Sequence, residues 1–213
     1  MLLSFKETKE LLNKYQIPLV ESLIIESLEQ GIVFAEKVGF PVVLKLLSND
    51  VLHKVDKGLV KLNIQNAIEF EATWKELGSF GGRRNRVPSD ELVVQRQIQG
   101  GVELFVGLKR DKTFGPIISF GLGGIFVEVL NDVVLNICPV NKTEALEMIK
   151  SIKGYKILTG YRGQTPVNLE KLAEILVGVS YLATENEKVN EMDINPLFAK
   201  GSEIAVADVK III

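Results

Sequence analysis

Two basic residues are the first features of this 213-residue chain that could take part in chemistry. Lys45 interrupts the apolar run Val42–Leu47, where a buried ammonium group is costly unless it meets an anion such as a phosphate. His53, the only histidine, lies in a polar stretch, and a neutral imidazole can attack phosphorus. Each residue also has a plain alternative: Lys45 could extend to solvent from a strand end, and His53 could be a surface residue.

The C-terminal part offers a pair of oxygen-bearing side chains. Asn195 lies in the segment 191–197 and Asp208 interrupts the apolar run 204–213. If these segments form a hairpin, the two side chains can converge, and Mg²⁺ favours carboxylate and carbonyl oxygens together with water and phosphate. Lys210, two residues from Asp208, is an alternative partner for its carboxylate.

A glycine-rich segment, Gly121-Leu-Gly-Gly-Ile-Phe-Val-Glu128, lies between two predicted strands. Glycines at this place would let backbone amides approach an anion. The spacing differs from the dinucleotide-binding fingerprint and no helix follows. A tight β-turn or bulge is the alternative interpretation.

Hydrophobic periodicity and capping residues predict the elements that must position these groups. In the first part, Ser27 and Asn66 are predicted helix N-caps and Gly39 a helix C-terminus. The predicted order is a helix at 5–15, a strand at 19–25, a helix from Ser27 to Gly39, strands at 42–47 and 60–64, and a helix at 66–77.

In the second part, Leu92–Val94 and Val102–Leu108 are predicted to pair as a hairpin around Gly100-Gly101. Further strands are predicted at 116–120, 125–130 and 133–137, helices after the caps Asn141 and Asn168, and a terminal hairpin over 189–213. The chain is therefore expected to be α+β, with an N-terminal lobe at 1–77 and the remaining part at 78–213.

The composition narrows the class of protein. Hydrophobic residues make up 46% and charged residues 24%, which is typical of a packed globular protein. The net charge of −2 argues against a nucleic-acid-binding surface. A single cysteine excludes an internal disulfide and favours a reducing compartment, and no apolar run approaches the length of a membrane span. A cytoplasmic location is expected.

Taken in order along the chain, these pieces resemble the β subunit of the NDP-forming acyl-CoA synthetases, also called ADP-forming acetate–CoA ligases. The resemblance covers essentially the whole chain. The segments that carry it are Gly39-Phe-Pro-Val-Val-Leu-Lys45, Leu52-His-Lys54, Gly101-Val-Glu103, Lys109-Arg-Asp111, Phe114-Gly-Pro116, 120–128, Gly160-Tyr-Arg-Gly163 and Asp193-Ile-Asn-Pro-Leu197.

The resemblance implies an ATP-grasp fold with a nucleotide site between two lobes, and it implies roles for matching residues. Lys45 would bind nucleotide phosphates, Glu103 the ribose hydroxyls, and Asn195 with Asp208 a Mg²⁺ ion. Adenine would lie along the hinge formed by Val94, Gln95, Arg96 and Gln97.

His53 matches a histidine that is transiently phosphorylated in that family. It would relay the phosphoryl group between ADP or ATP and a CoA-binding α subunit that forms an acyl phosphate, in an assembly expected to be α₂β₂. Two departures stand out: Leu59 follows Gly58 where a second glycine is usual, and Arg96-Gln97 replaces Glu-Met in the hinge. Leu59 could restrict phosphate approach, and the altered hinge bears on the choice between ATP and GTP.

Two other functions stay open on the sequence alone. The first is a regulatory module that binds ATP without turnover, which the two departures motivate. The second is an ATP-grasp ligase that joins a carboxylate to an amine through an acyl phosphate and has no phosphohistidine.

Overall fold

The structure is a computed structural model that describes residues 1–47, 59–79, 91–124, 132–163 and 165–213. The predicted strand at 125–130, His53 and Gly58 therefore lie outside the described residues. The described chain forms two compact units, Val20–Gln99 and Met1–Leu19 with Gly100–Ile213. No helix in these ranges has the length and apolar character needed to cross a membrane.

The first unit is an antiparallel sheet of four described strands, in the order β1-β4-β2-β3, with two helices on one face. Alternate residues of the strands, such as Val42, Leu44 and Val94, pack with Phe70 in the core. Its elements are β1 (Ser22–Ile25), α2 (Leu28–Val38), β2 (Val42–Leu47), β3 (Val60–Ile64), α3 (Ala67–Ser79) and β4 (Glu91–Arg96), with α1 (Phe5–Lys14) preceding them in the other unit.

The second unit contains a larger antiparallel sheet in the order β10-β8-β5-β6-β7, with β9 also beside β8. Helices cover one face, where Val106, Phe120 and Leu176 are buried. Its elements besides α1 are β5 (Val102–Asp111), β6 (Gly115–Leu122), β7 (Val133–Ile137), α4 (Lys142–Ser151), α5 (Tyr155–Leu158), a 3₁₀ turn (Tyr161–Gly163), α6 (Leu169–Glu185), β8 (Glu191–Lys200), β9 (Glu203–Val206) and β10 (Val209–Ile212).

The predicted hairpin between Leu92–Val94 and Val102–Leu108 is wrong. Strand β4 lies between β1 and β2 in the first sheet, whereas β5 lies between β8 and β6 in the second. Four consecutive residues of β4 are buried, which is typical of a central strand rather than of an edge strand. Such a strand needs two neighbours, and β1 and β2 supply them.

The units are bounded differently from the predicted lobes at 1–77 and 78–213. Helix α1 belongs to the second unit, because Leu12 is fully buried in that unit's core. Strand β4 belongs to the first unit, although it follows residue 78 in the chain. The position of an element in the chain therefore does not show which unit it belongs to. The second unit includes helix α1 from the start of the chain, and the first unit includes strand β4 from beyond residue 78.

Two of the predicted helix N-caps, Asn141 and Asn168, form the expected hydrogen bonds. The Asn141 side chain accepts from the Glu144 amide at 3.0 Å, and the Glu144 carboxylate accepts from the Asn141 amide at 2.7 Å. Asn168 caps α6 through the Lys171 amide at 3.1 Å. These caps fix the two helices that cover the second sheet.

Candidate functional site

Lys45 lies on the face of the first sheet opposite its hydrophobic core, and its relative exposure is only 8%. Gln95 and Ser22 lie on the same face and are also buried. These three residues are half of the buried polar or charged side chains found in the described ranges. A lysine that extends to solvent from a strand end does not fit this burial, and the role of Lys45 in phosphate binding stays a prediction.

Arg96 and Gln97, which the resemblance assigns to the hinge, have partners within the first unit. The Arg96 guanidinium lies 3.5 Å from the Glu21 carboxylate, measured from Nε to Oε2. Gln97 donates from Nε2 to Asn63 Oδ1 at 2.7 Å, and its Oε1 accepts from the Asn63 amide at 2.7 Å. The two residues that depart from the family pattern therefore form their own contacts at the end of β4.

Leu59 lies in the core of the first unit with only 1% exposure. Its carbonyl accepts a hydrogen bond from the Leu46 amide at 2.9 Å, which continues the pairing beside β2. The expectation that its side chain restricts the approach of a phosphate is therefore not met. An apolar residue at this position gains more from burial in the core than it would at an open surface.

Glu103 lies near the start of β5, on an exposed part of the second sheet. The turn after β6 runs against it, and the Gly123 amide donates to the Glu103 carbonyl at 2.7 Å. A Cβ atom added to Gly124 would lie 2.8 Å from Glu103 Oε2. The glycine-rich segment, as far as it is described, thus meets the carboxylate predicted to bind ribose.

Asn195 and Asp208 are neighbours in the second unit. Strand β8 pairs with β10 before Asn195 and with β9 after Pro196, and the break between β9 and β10 falls at Ala207 and Asp208. The Asn195 amide donates to the Asp208 carbonyl at 3.1 Å. The two segments therefore lie side by side through a backbone hydrogen bond, and the convergence of the two side chains and their role in metal binding stay predictions.

Strand β8 contains a β-bulge at Asn195–Pro196. On β5, the step from Leu104 to Val106 spans two residues, whereas the paired step on β8 runs from Leu197 to Ile194. Bulges of this kind redirect side chains and are frequent beside active sites. In the described ranges, no group of three or more His, Cys, Asp or Glu could hold a metal. One carboxylate and one amide oxygen nevertheless fit Mg²⁺ that takes its other ligands from phosphate and water.

Asp193 is a candidate residue to which the sequence analysis assigned no role. It lies two residues before Asn195 and directly across from Lys210 of β10. Its Oδ1 is buried without a hydrogen-bond partner in the described structure. Asp193 also lines a cavity of about 460 Å³ on the sheet face opposite the core, beside Gly107, Ser119 and Glu191. A carboxylate with an unused acceptor in a cavity can receive a donor from a bound group.

Burial raises the pKa of Asp193, and the nearby Asp208 and Glu191 carboxylates act in the same direction, whereas the Lys210 ammonium opposes them. Such a group favours folding below its unfolded pKa, and this contribution is lost as the pH rises through the folded pKa. We therefore expect Asp193→Asn to have a higher Tm than the unaltered chain at pH 7. The difference should shrink as the pH falls toward 4.

Asp111 provides a control of opposite sign in the same sheet. Hydrogen bonds from the Phe114 and Thr113 amides lower its pKa, so its contribution is present at neutral pH and is lost in acid. Asp111→Asn should therefore lower the Tm at pH 7. If Asp193→Asn lowers the Tm at pH 7 as well, the electrostatic attraction of the Lys210 ammonium outweighs the cost of burial. Melting curves between pH 4 and 8 decide this.

The family model for the ATP-grasp domain matches residues 1–213. Over 210 residues the chain is 42% identical to the acetate–CoA ligase (ADP-forming) I subunit beta of Pyrococcus furiosus, covering 97% of this chain and 90% of that protein. It is 41% identical to the acetate–CoA ligase (ADP-forming) I of Archaeoglobus fulgidus. There the match covers 92% of this chain but only 30% of the relative, which is a much longer chain.

Solved structures agree with this placement. The chain superimposes with a TM-score of 0.89 and 39% identity on an acetyl-coenzyme A synthetase 1 from Ca. Korarchaeum cryptofilum, in complex with coenzyme A and Ca-AMPCP. The match covers 100% of this chain and 93% of that chain. A second structure of that enzyme contains Mg-AMPPCP and has a phosphohistidine segment pointing towards the nucleotide binding site. This chain superimposes on it with a TM-score of 0.85 and 38% identity, and the match covers 100% of this chain and 92% of that chain.

The architecture of each unit fits these relatives. The ligand-binding roles that the resemblance assigns to Lys45, Glu103, Asn195 and Asp208 stay predictions. The chain belongs to the ATP-grasp family and, within it, to the β subunits of the ADP-forming acyl-CoA ligases.

Proposed function

We propose that this chain binds ATP or ADP with Mg²⁺ and relays a phosphoryl group for an ADP-forming acyl-CoA ligase. The overall reaction is acid, CoA and ATP to acyl-CoA, ADP and phosphate, or its reverse. Within the described structure, the observation that carries the proposal is the backbone hydrogen bond that joins Asn195 to Asp208 at the break between β9 and β10. This pair offers oxygen ligands of the kind that Mg²⁺ shares with phosphates.

In the proposal, the nucleotide is held by the residues to which the resemblance assigns that role. Lys45 supplies a positive charge for its phosphates, Glu103 accepts from its ribose hydroxyls, and Val94–Gln97 line its base. When bound, Mg²⁺ neutralises phosphate charge, and Asn195 and Asp208 are the residues that would hold it. Phosphoryl transfer needs such positioning and charge neutralisation more than it needs covalent chemistry from the protein.

His53 would be the covalent relay. A neutral imidazole nitrogen forms a bond to the terminal phosphorus of ATP while the bond to the ADP oxygen breaks, and ADP leaves with the electron pair. The phosphoryl group then passes to a partner chain, and the reverse order makes ATP. The relative in Pyrococcus furiosus is a named β subunit, which supports a separate α chain. We propose that this α chain binds CoA and that the two chains form an α₂β₂ assembly in the cytoplasm.

The regulatory alternative loses its motivation from the two departures. Leu59 is a core residue, and Arg96 and Gln97 contact Glu21 and Asn63 in their own unit. Neither departure therefore indicates a defective nucleotide site. The carboxylate–amine ligase remains distinct from the proposal because it forms no phosphohistidine.

Calorimetry with Mg-ADP, followed by an assay with the co-purifying partner chain, tests the proposal. We expect ADP binding by this chain alone, and ATP formation from acetyl-CoA, ADP and phosphate only when the partner is present. Binding without turnover in the complete assembly would favour the regulatory module. Absence of nucleotide binding would overturn both functions. A base-stable, acid-labile phosphate on the chain after incubation with ATP would argue against the carboxylate–amine ligase.

A further inference from the structure

The glycine-rich turn after β6 contacts the backbone and the side chain of Glu103. The Gly123 amide donates to the Glu103 carbonyl at 2.7 Å, and a Cβ atom on Gly123 would lie 3.0 Å from the carbonyl carbons of Glu103 and Leu104. The turn is therefore fixed against the first residues of β5. Its next residue, Gly124, lies beside the Glu103 carboxylate.

The absence of a side chain at Gly124 leaves room for the Glu103 carboxylate. A Cβ atom on Gly124 would be 2.8 Å from Glu103 Oε2 and 3.8 Å from Cδ, closer than an ordinary contact to the oxygen. The Glu103 carboxylate has no hydrogen bond or ion pair with any residue in the described ranges. Within the described structure, the direction of this carboxylate is therefore constrained by the shape of the turn and not by a polar partner.

We propose that Gly124 is a positioning residue for ribose recognition: its missing side chain lets Glu103 direct its carboxylate at the ribose hydroxyls. This inference rests on the proposed function, since it takes Glu103 as the ribose ligand. The proposal also means that the described part of the glycine-rich turn serves ribose recognition. The interpretation in which these amides bind an anion is the competing one.

Because the atom that a Cβ would meet is the end of a flexible side chain, Gly124→Ala should displace Glu103 rather than unfold the chain. The φ of Gly124 is +59°, so alanine there also carries left-handed strain. Gly115 is a matched control, since its φ is +75° and a Cβ atom there meets no heavy atom within 4 Å. Gly115→Ala should therefore carry the strain without moving a ligand-binding group.

The test compares Mg-ADP with Mg-2′,3′-dideoxy-ADP by calorimetry. The unaltered chain should bind ADP more tightly, by about tenfold or more if a charge-assisted hydrogen bond is at stake. Gly124→Ala should lose this preference, so that the ratio of the two Kd values falls toward one. Gly115→Ala should keep it. In a Glu103→Ala background, adding Gly124→Ala should change neither Kd.

Each outcome decides a different question. If Gly124→Ala weakens both nucleotides equally, the turn contacts phosphate and the inference is overturned. Retained discrimination in Gly124→Ala overturns it as well, while the proposed function stands. If the unaltered chain binds ADP without discrimination, Glu103 is not the ribose ligand. If it binds no nucleotide, the proposed function itself fails.

Melting temperatures keep the inference testable without a ligand. In the Glu103→Ala background, the decrease in Tm caused by Gly124→Ala should equal that caused by Gly115→Ala. If Gly124→Ala fails to fold with Glu103 present but folds without it, the contact is supported. Failure to fold in both backgrounds would show that the alanine meets other groups, and would overturn the inference.

Discussion

Replacing His53 with alanine should reduce phosphoryl transfer in the complete enzyme by about a thousandfold or more. The relay needs a nitrogen nucleophile that forms a bond to phosphorus, and alanine offers no such group. Nucleotide binding should change by less than about threefold, since Lys45, Glu103 and the metal ligands supply the binding contacts in the proposal. His53 lies outside the described residues, so this prediction depends on the sequence and on the family.

The experiment uses the fact that His53 is the only histidine of the chain. Labelled ATP should leave an acid-labile, base-stable phosphate on the unaltered chain and none on His53→Ala. Free imidazole should restore part of the label transfer to the partner, because it can occupy the space of the missing ring. Calorimetry with Mg-ADP is the control for intact binding. Full acyl-CoA synthesis by His53→Ala with its partner would show that the relay role is wrong.

Local signals in the sequence predicted local structure well. The caps Asn141 and Asn168 act through amides three residues away, so a short window contains all the information they need. The strand at 42–47 is likewise predicted from an apolar run with one charged residue. The run 204–213, predicted as one strand, instead forms two strands that are separated at Ala207 and Asp208.

Strand pairing was predicted less well because its partners are far apart in sequence. The hairpin rule favours neighbours in the chain, yet β4 pairs with β1 and β2 while β5 pairs with β6 and β8. The continuous apolar run Leu92–Val94 was the signal for a central strand, and it was outweighed by the glycines at 100 and 101. Helix α1 belongs to the second unit for the same reason, because the residues with which it packs are far from it in sequence.

Side-chain direction accounts for the remaining differences. Leu59 looked like an obstacle to phosphate because glycine is usual there, but it lies in the core. Asp193 was overlooked because an aspartate near a strand start resembles an ordinary surface residue. Its signal was its position two residues before Asn195, since residues i and i+2 of a strand share a face.

The second large effect concerns Asp208. Asp208→Asn should lower kcat/KM of the complete enzyme on the order of 100-fold, because it removes the only carboxylate of the proposed metal pair. Asn195→Asp is the comparison variant: it adds a carboxylate at the same place and should retain Mg²⁺ binding. Lys210→Met tests the alternative in which Lys210 is the important partner of Asp208, and it should leave Mg²⁺ dependence unchanged.

Binding measured with and without metal separates a metal ligand from a structural residue. With Mg²⁺, Asp208→Asn should bind ADP more weakly than the unaltered chain, because the bridge between carboxylate and phosphate is weakened. Without Mg²⁺, it should bind ADP as tightly or more tightly, since a negative charge beside the phosphates has been removed. Equal losses in both conditions would show that Asp208 maintains the break between β9 and β10 instead. The two roles therefore predict opposite signs in the metal-free measurement, which makes it the decisive one.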